Sequence, residues 1–234
     1  MDFSELNKSR RSIRDFKPDP IPQNLLDEIL RDALWSPSWS NTHPYYLKVV
    51  TGEKLELIKN DYLKLFDQAW PLMNGNLWQK IKLVLFRKGF PDGDFRTIFK
   101  YPHILQKRRV KTGKAIYDFL GIEKDDKKGK ELSWRRNFEF FGAPVVMFLF
   151  VHKSLKAYAA LDAGIFLQTI MLSAHSKGLG TCAQGALATW ASPVRNHLEI
   201  PKDYKLIVGL SLGFPSDHPI NTFNVGREDL DLGF

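Results

Sequence analysis

The 234-residue sequence predicts a single-domain α+β fold, and three observations carry that reading. Amphipathic helical stretches and β-branched or aromatic runs follow one another without the regular alternation of a doubly wound sheet. One run, PVVMFLFVH from Pro144, is apolar throughout, as a central strand buried on both faces must be. Hydrophobic residues make up 44% of the chain, including 17 Phe, 7 Tyr and 6 Trp, which supplies one sizeable core and excludes a disordered chain.

The elements follow in order. Asn24 to Leu34 has Leu25, Leu26, Ile29, Leu30, Ala33 and Leu34 at helical spacing, with Pro22 near its first turn and Pro37 marking its stop. Tyr45 to Thr51 (YYLKVVT) is β-branched and aromatic and ends at Gly52, which suits a strand. Glu53 to Phe66 is helical again, with Leu55, Ile58, Tyr62 and Leu65 on one face. Residues 70–133 mix aromatics, Pro, Gly and dense Lys/Arg and read as a basic helical insert, with helices over Ile104 to Leu120 and Lys130 to Phe141. After the apolar strand, Ala157 to Ser176 forms a long apolar helix that Gly178 and Gly180 close. Lys205 to Leu212 is a strand, and a polar tail runs from Phe214.

The formal net charge is +8, but the charge is localised. Lys80 to Arg136 holds 17 Lys and Arg against 7 Asp and Glu, leaving 17 basic and 19 acidic residues elsewhere. A basic segment of this kind suits a small anionic ligand, an acidic surface or nucleic acid. No helix-turn-helix, RNA-recognition or zinc-finger pattern supports the last, so no nucleic-acid partner is expected. The most apolar run, Val145 to Val151, is far shorter than the roughly 20 residues a bilayer needs, so no membrane span is expected. The N-terminus lacks the apolar stretch of a secretory signal. Cys182, the single cysteine, excludes an intrachain disulfide, and a cytoplasmic location is the expectation.

Most motif matches dissolve on inspection. GLSLG at Gly209 to Gly213 fits the G-x-S-x-G pattern of a nucleophile elbow but lies inside a strand end, with Phe214-Pro215 following where a helix is required. Ser211 therefore reads as a strand residue. GLGTCAQG at Gly178 to Gly185 is not a dinucleotide fingerprint, because it follows a helix and its third glycine is misplaced. It reads either as a helix cap with a flexible link or as backbone that approaches a flat ligand closely. The six histidines show no metal-ligand spacing, so no metal site is expected. With no acid–base pair visible, a bound cofactor is the expected carrier of any chemistry.

Two clusters remain. In RRSIRDF, residues 10–16, Arg10, Ser12 and Arg14 alternate, so an extended backbone points all three to one side and makes a cradle for a phosphate. SPSWSNTHP, residues 36–44, is a polar, proline-bracketed loop directly after a helix.

Taken together, RRSIRDF, SPSWSNTHPYYLKVVTG, RRNFEFFGAPVVMFLF, DAGIFLQTIMLSAHSKGLGTCAQGAL and the tail INTFNVGRED resemble, in order and over nearly the whole chain, the FMN-dependent nitroreductase family. The segment KRRVKTGKAIYDFLGIEKDD is most similar to the branch that reduces nitrobenzoate and other nitroaromatics. The resemblance implies a mainly antiparallel sheet flanked by helices, in an intertwined homodimer with FMN at the interface. By matching position, Arg10, Ser12 and Arg227 would hold the FMN phosphate, Arg11 would be the spare, structural member of the arginine cluster, and Arg14 would reach the ribityl chain or pyrimidine edge. Pro37, Ser38, Trp39 and Asn41 would come from the other subunit and line the isoalloxazine. Gln184 and Gly185 would offer backbone N–H groups near flavin N5 and O4, and Asn137 would meet the O2/N3 edge. The implied reaction passes hydride from NAD(P)H through the flavin to a nitroaromatic or quinone-like acceptor in a ping-pong cycle. Enoate reduction, dehalogenation and breakdown of reduced flavin share the same cradle and stay open. Trp39 departs from the small residue many relatives carry. The insert helix, Ile104 to Leu120, is expected over the mouth of the site as a lid.

Overall fold

The computed structural model describes residues 2–74, 89–97 and 100–227. Its sheet has four strands, β1 (Tyr45–Thr51), β2 (Val145–His152), β3 (Gly180–Gln184) and β4 (Tyr204–Gly213), in the spatial order β1-β2-β4-β3 with every pairing antiparallel. Around it lie α1 (Phe3–Ser9), α2 (Gln23–Ala33), α3 (Gly52–Asn74), α4 (His103–Phe119), α5 (Lys127–Phe138), α6 (Lys156–Ser176) and the short α7 (Ser192–Arg195). The expected strands and long helices are present, with ends shifted by a few residues except for α3, which continues past Phe66 to Asn74. The short α1 was not expected; its N-cap is Asp2, whose carboxylate accepts from Glu5 N at 2.9 Å.

The continuous apolar run of β2 serves two layers. Val145, Met147, Leu149 and Val151 face Leu26, Ile29 and Ala33 of α2 and Ala163, Phe166 and Ile170 of α6. Val146, Phe148 and Phe150 face the opposite way, onto Leu55, Ile58, Tyr62 and Phe66 of α3 together with Phe138, Leu187 and Trp190. Strand alternation makes both sets compatible with one element.

GLGTCAQG is not a flexible link. Gly180 to Gln184 pairs with β4 from Gly180↔Gly213 to Gln184↔Gly209, and the glycines serve close packing. A Cβ at Gly180 would stand 2.5 Å from Ile13 Cγ1. By length and composition alone α6 is long and apolar enough to cross a membrane, but its inner face packs on α2 and the sheet, as a core helix does.

The basic insert is pinned by FPDGD, residues 90–94. Asp92 Oδ1 accepts from Ala191 N at 2.7 Å, Gly93 N donates to Thr189 O at 3.0 Å, and Trp190 Nε1 donates to Phe90 O at 3.1 Å. Asp94 pairs with Arg195 and also accepts from Leu206 N, both at 2.8 Å. Glycine is required at 93, where a Cβ would lie 2.1 Å from Ala188 O.

A polar tie joins α2 to α6. Asp32 accepts from Lys177 Nζ at 2.7 Å and from Ser173 Oγ at 2.5 Å, and these bonds hold its carboxyl below the ordinary range against the opposing effect of burial. A depressed carboxylate stabilises the fold above its unfolded pKa of about 3.9, and that contribution is lost as pH falls through the lower, folded value. Asp32 is half exposed, so Asp32→Asn should lower stability at pH 7 by about 0.2–1 kcal/mol. The difference from wild type should shrink in thermal melts below pH about 4.

Candidate functional site

After α1 the chain runs extended along the edge of β3. Ser12 bridges Thr181, Ile13 N donates to Thr181 O at 2.9 Å, and Phe16 bridges Pro215. Ile13 and Phe16 are buried with Phe141, Ala143 and Cys182. Relative to Ile13, alternation turns Arg10, Ser12 and Arg14 to the other side, as the sequence predicts, and Phe16 leaves that alternation to join the buried cluster. They line a cavity of about 490 Å³ whose remaining walls include Gln168 of α6, Thr112 of α4 and the tail residues Phe223 to Arg227.

The electrostatics of this cavity are one-sided. Arg10 Nε is buried and, among the described residues, has no hydrogen-bond partner. Burial and the nearby Arg227 both lower the pKa of Arg10. Burial, Arg10 and Arg11 likewise lower that of His175, whose Nε2 contacts Ser9 Oγ at 2.8 Å. Converging cations with an unsatisfied buried donor fit an anion such as a phosphate. Arg11 lines the same cavity while donating to Thr222 O at 3.2 Å, which ties arm to tail. Burial pushes the Cys182 thiol up to about 11, so it stays protonated and is no nucleophile at neutral pH.

A second cavity of about 660 Å³ adjoins the first through Arg14, which lines both. Its walls include Ile116 and Tyr117 of α4, Trp134 and Asn137 of α5, and Ala186. The insert helix α4 thus borders both cavities. Asn137 turns its side-chain amide back to Trp134 O at 3.2 Å, and its backbone carbonyl accepts from Gln184 Nε2 at 2.8 Å. Gly185 is exposed, and nothing stands within 4 Å of where its Cβ would be, so a flat ligand can approach its backbone. The turn that follows is fixed from beneath by the fully buried Tyr62, whose hydroxyl lies 2.7 Å from Leu187 O and 3.2 Å from Trp190 O.

Pro37, Ser38, Trp39 and Asn41 line neither cavity. They sit beside the N-terminal half of α6, where buried Asp162 accepts from Trp39 N at 3.1 Å and the Trp39 ring lies 4.5 Å from that of Tyr158. Ser38 Oγ accepts from His43 N at 2.9 Å, and Asn41 Oδ1 contacts His43 Nε2 at 2.8 Å. Ser40, Asn41 and His43 all hold left-handed φ values, of 51°, 53° and 45°. One chain therefore gathers Arg10, Arg11, Ser12, Arg14 and Arg227 in one cavity and Asn137 in the other, while Gln184, bonded to Asn137 O, and Gly185 line neither, although Ala186 directly after them lines the second. The same chain keeps the 37–41 group apart from both.

Asn221 is a residue that motif reading missed. Its Oδ1 accepts from Arg14 N at 2.9 Å and Asp15 N at 3.2 Å, while Nδ2 donates to Asp15 O at 2.7 Å and Ser216 O at 3.0 Å. This one amide locks the arm to the tail. Asp15 is also ion-paired with Arg136 and accepts from Ser216 Oγ at 2.5 Å. The only sequence signal for Asn221 was its place in the family-like tail.

This architecture is the nitroreductase fold, and the comparisons extend it to the family. The model of the Nitroreductase family matches residues 8–214, and the chain belongs to that family. A 4-nitrobenzoate reductase of Pseudomonas putida is 34% identical over 97% of this chain and 92% of its own. Nitroreductase NfnB of Mycolicibacterium smegmatis is 30% identical over 91% and 82%. The crystal structure of an FMN- and NADPH-dependent nitroreductase NfnB from sphigopyxis sp. strain HMH superposes with a TM-score of 0.85 at 30% identity, covering 100% of this chain and 98% of that one.

Asn221→Ala should cost about 1–3 kcal/mol, the usual penalty for leaving partly buried donors without a partner. Urea denaturation measures the loss, and faster proteolysis within residues 10–16 should accompany it.

Proposed function

We propose that this chain is an NAD(P)H-dependent FMN oxidoreductase that reduces nitroaromatic acceptors by a ping-pong cycle as a homodimer. The observation that carries the reading is the cationic cavity around Arg10, with its unsatisfied buried Nε, joined through Arg14 to the cavity that Asn137 and Ala186 line. The names of the relatives point the same way.

In this reading Arg10, Ser12 and Arg227 hold the phosphate, and Arg14 spans towards the ribityl chain and pyrimidine edge. Asn137 faces that edge, and Gly185 admits the ring to its backbone N–H. Bound FMN supplies hydride transfer between NAD(P)H and the acceptor, so no side-chain nucleophile is required. Tyr117 and Trp134 offer aromatic surface to an electron-poor ring, for which offset stacking is favourable. The basic helix α4 forms a wall that attracts anionic substrates.

The homodimer rests on apolar surface the single chain leaves uncovered. Leu34 (64% exposed), Trp35 (88%) and Trp39 (57%) continue into Tyr158 and Leu161 on the outer side of α6. A second copy seated there brings its Pro37, Ser38, Trp39 and Asn41 to the flavin, and such an obligate interface buries roughly 2,000–5,000 Å².

Arg10→Ala should weaken FMN binding about 10- to 150-fold, the equivalent of losing one charge-assisted bond of 1.5–3 kcal/mol. Fluorescence titration measures it, and riboflavin, which lacks the phosphate, should show no such loss. A wild-type protein that takes up no FMN overturns the reading.

Leu161→Glu should convert the dimer to a monomer that fails to retain flavin, read by sedimentation at the flavin absorption band. A flavin-loaded wild-type monomer would refute the shared site.

A further inference from the structure

On β4, Gly209, Ser211 and Gly213 occupy alternate positions and so share the face opposite Leu210 and Leu212. A Cβ at Gly209 would stand 2.4 Å from Leu187 Cδ1 in the turn after β3. One at Gly213 would stand 2.8 Å from Pro144 Cδ and 3.0 Å from Phe16 Cδ1 at the end of the arm. The two glycines therefore let the turn and the arm lie directly on the strand. Between them is Ser211, fully buried at 0% exposure, donating from Oγ to Gln184 Oε1 at 2.5 Å. Gln184 is itself 3% exposed, and its Nε2 donates to Asn137 O. Both ends of this buried amide are committed, so neither its orientation nor the residue that precedes Gly185 is free to change.

We infer that Ser211 is a positioning residue for the Gln184–Gly185 peptide. Acting through the Gln184 side chain, its hydroxyl holds the Gly185 N–H at the flavin edge and so raises the flavin's reduction potential. The inference rests on the FMN reading above. A donor favours the reduced form only when it is already aimed at the place where negative charge accumulates. Removal of the Ser211 hydroxyl leaves Gln184 Oε1 short of a buried partner, so the amide turns to other donors and the peptide loses its fixed aim. The phosphate cradle is built by other residues and is untouched. The strand residue that imitates a nucleophile in GLSLG is thus given a role without any attack on substrate.

The test compares midpoint potentials of flavin-loaded wild type, Ser211→Ala, Ser211→Cys and Ser211→Thr by spectroelectrochemistry, after an FMN titration of each. Cysteine keeps side-chain bulk with a weak donor, and threonine keeps the hydroxyl. The Ala and Cys variants should bind FMN as the wild type does, yet their reduced-to-oxidised ratio at fixed potential should fall about ten-fold, a shift of about 30 mV to more negative values for a two-electron couple. Thr should restore the wild-type potential. Ala and Cys variants with the wild-type potential overturn the inference alone, and a loss of melting temperature without a potential shift marks Ser211 as packing only. A wild type that takes up no FMN overturns the flavin reading and this inference with it.

Discussion

Both apolar layers rest on the antiparallel pairing of Val145–His152 with Tyr204–Gly213. β2 has no solvent face, because its odd-numbered residues fill one layer and its even-numbered residues fill the other. β4 then carries β3 on its second edge, and β3 carries the arm through the Thr181 carbonyl and Ile13 N. The position of the cationic cradle is therefore inherited strand by strand from the centre of the sheet. A one-residue slip of β4 against β2 would exchange its Leu face for its Gly-Ser-Gly face and displace the arm with it.

The cradle is held largely by bonds to neutral acceptors. Arg11 leans on a backbone carbonyl, Asn221 grips the Arg14 and Asp15 backbone, and Arg227 donates to Gly226 O. The nearby carboxylate of Asp15 is occupied by Arg136 and Ser216. Among the described residues no ion pair offsets the repulsion between Arg10 and Arg227, a local cost that the two packed layers elsewhere sustain.

How much of this was legible in the sequence depended on the range of the interactions concerned. β1 could be read to its ends, because its composition and Gly52 are local signals, and α2 needed only its own periodicity. The outward set Arg10, Ser12 and Arg14 followed from strand alternation alone. β3 was hidden because GLGTCAQG has the composition of a link, and its glycines make sense only once Ile13 is packed against Gly180. Local sequence identifies Ser211 as a strand residue but not its tie to Gln184, which lies 27 positions earlier. Asn221, Asp92 and Tyr62 act across still longer separations, where single-sequence patterns carry no information.

The FPDGD clip bears on where the chain tolerates change. Between α3 and α5, residues 90–94 are fastened to the segment around Thr189 to Arg195. The expensive change is at Gly93 itself, where even one methyl group meets the backbone of the turn that follows Gly185.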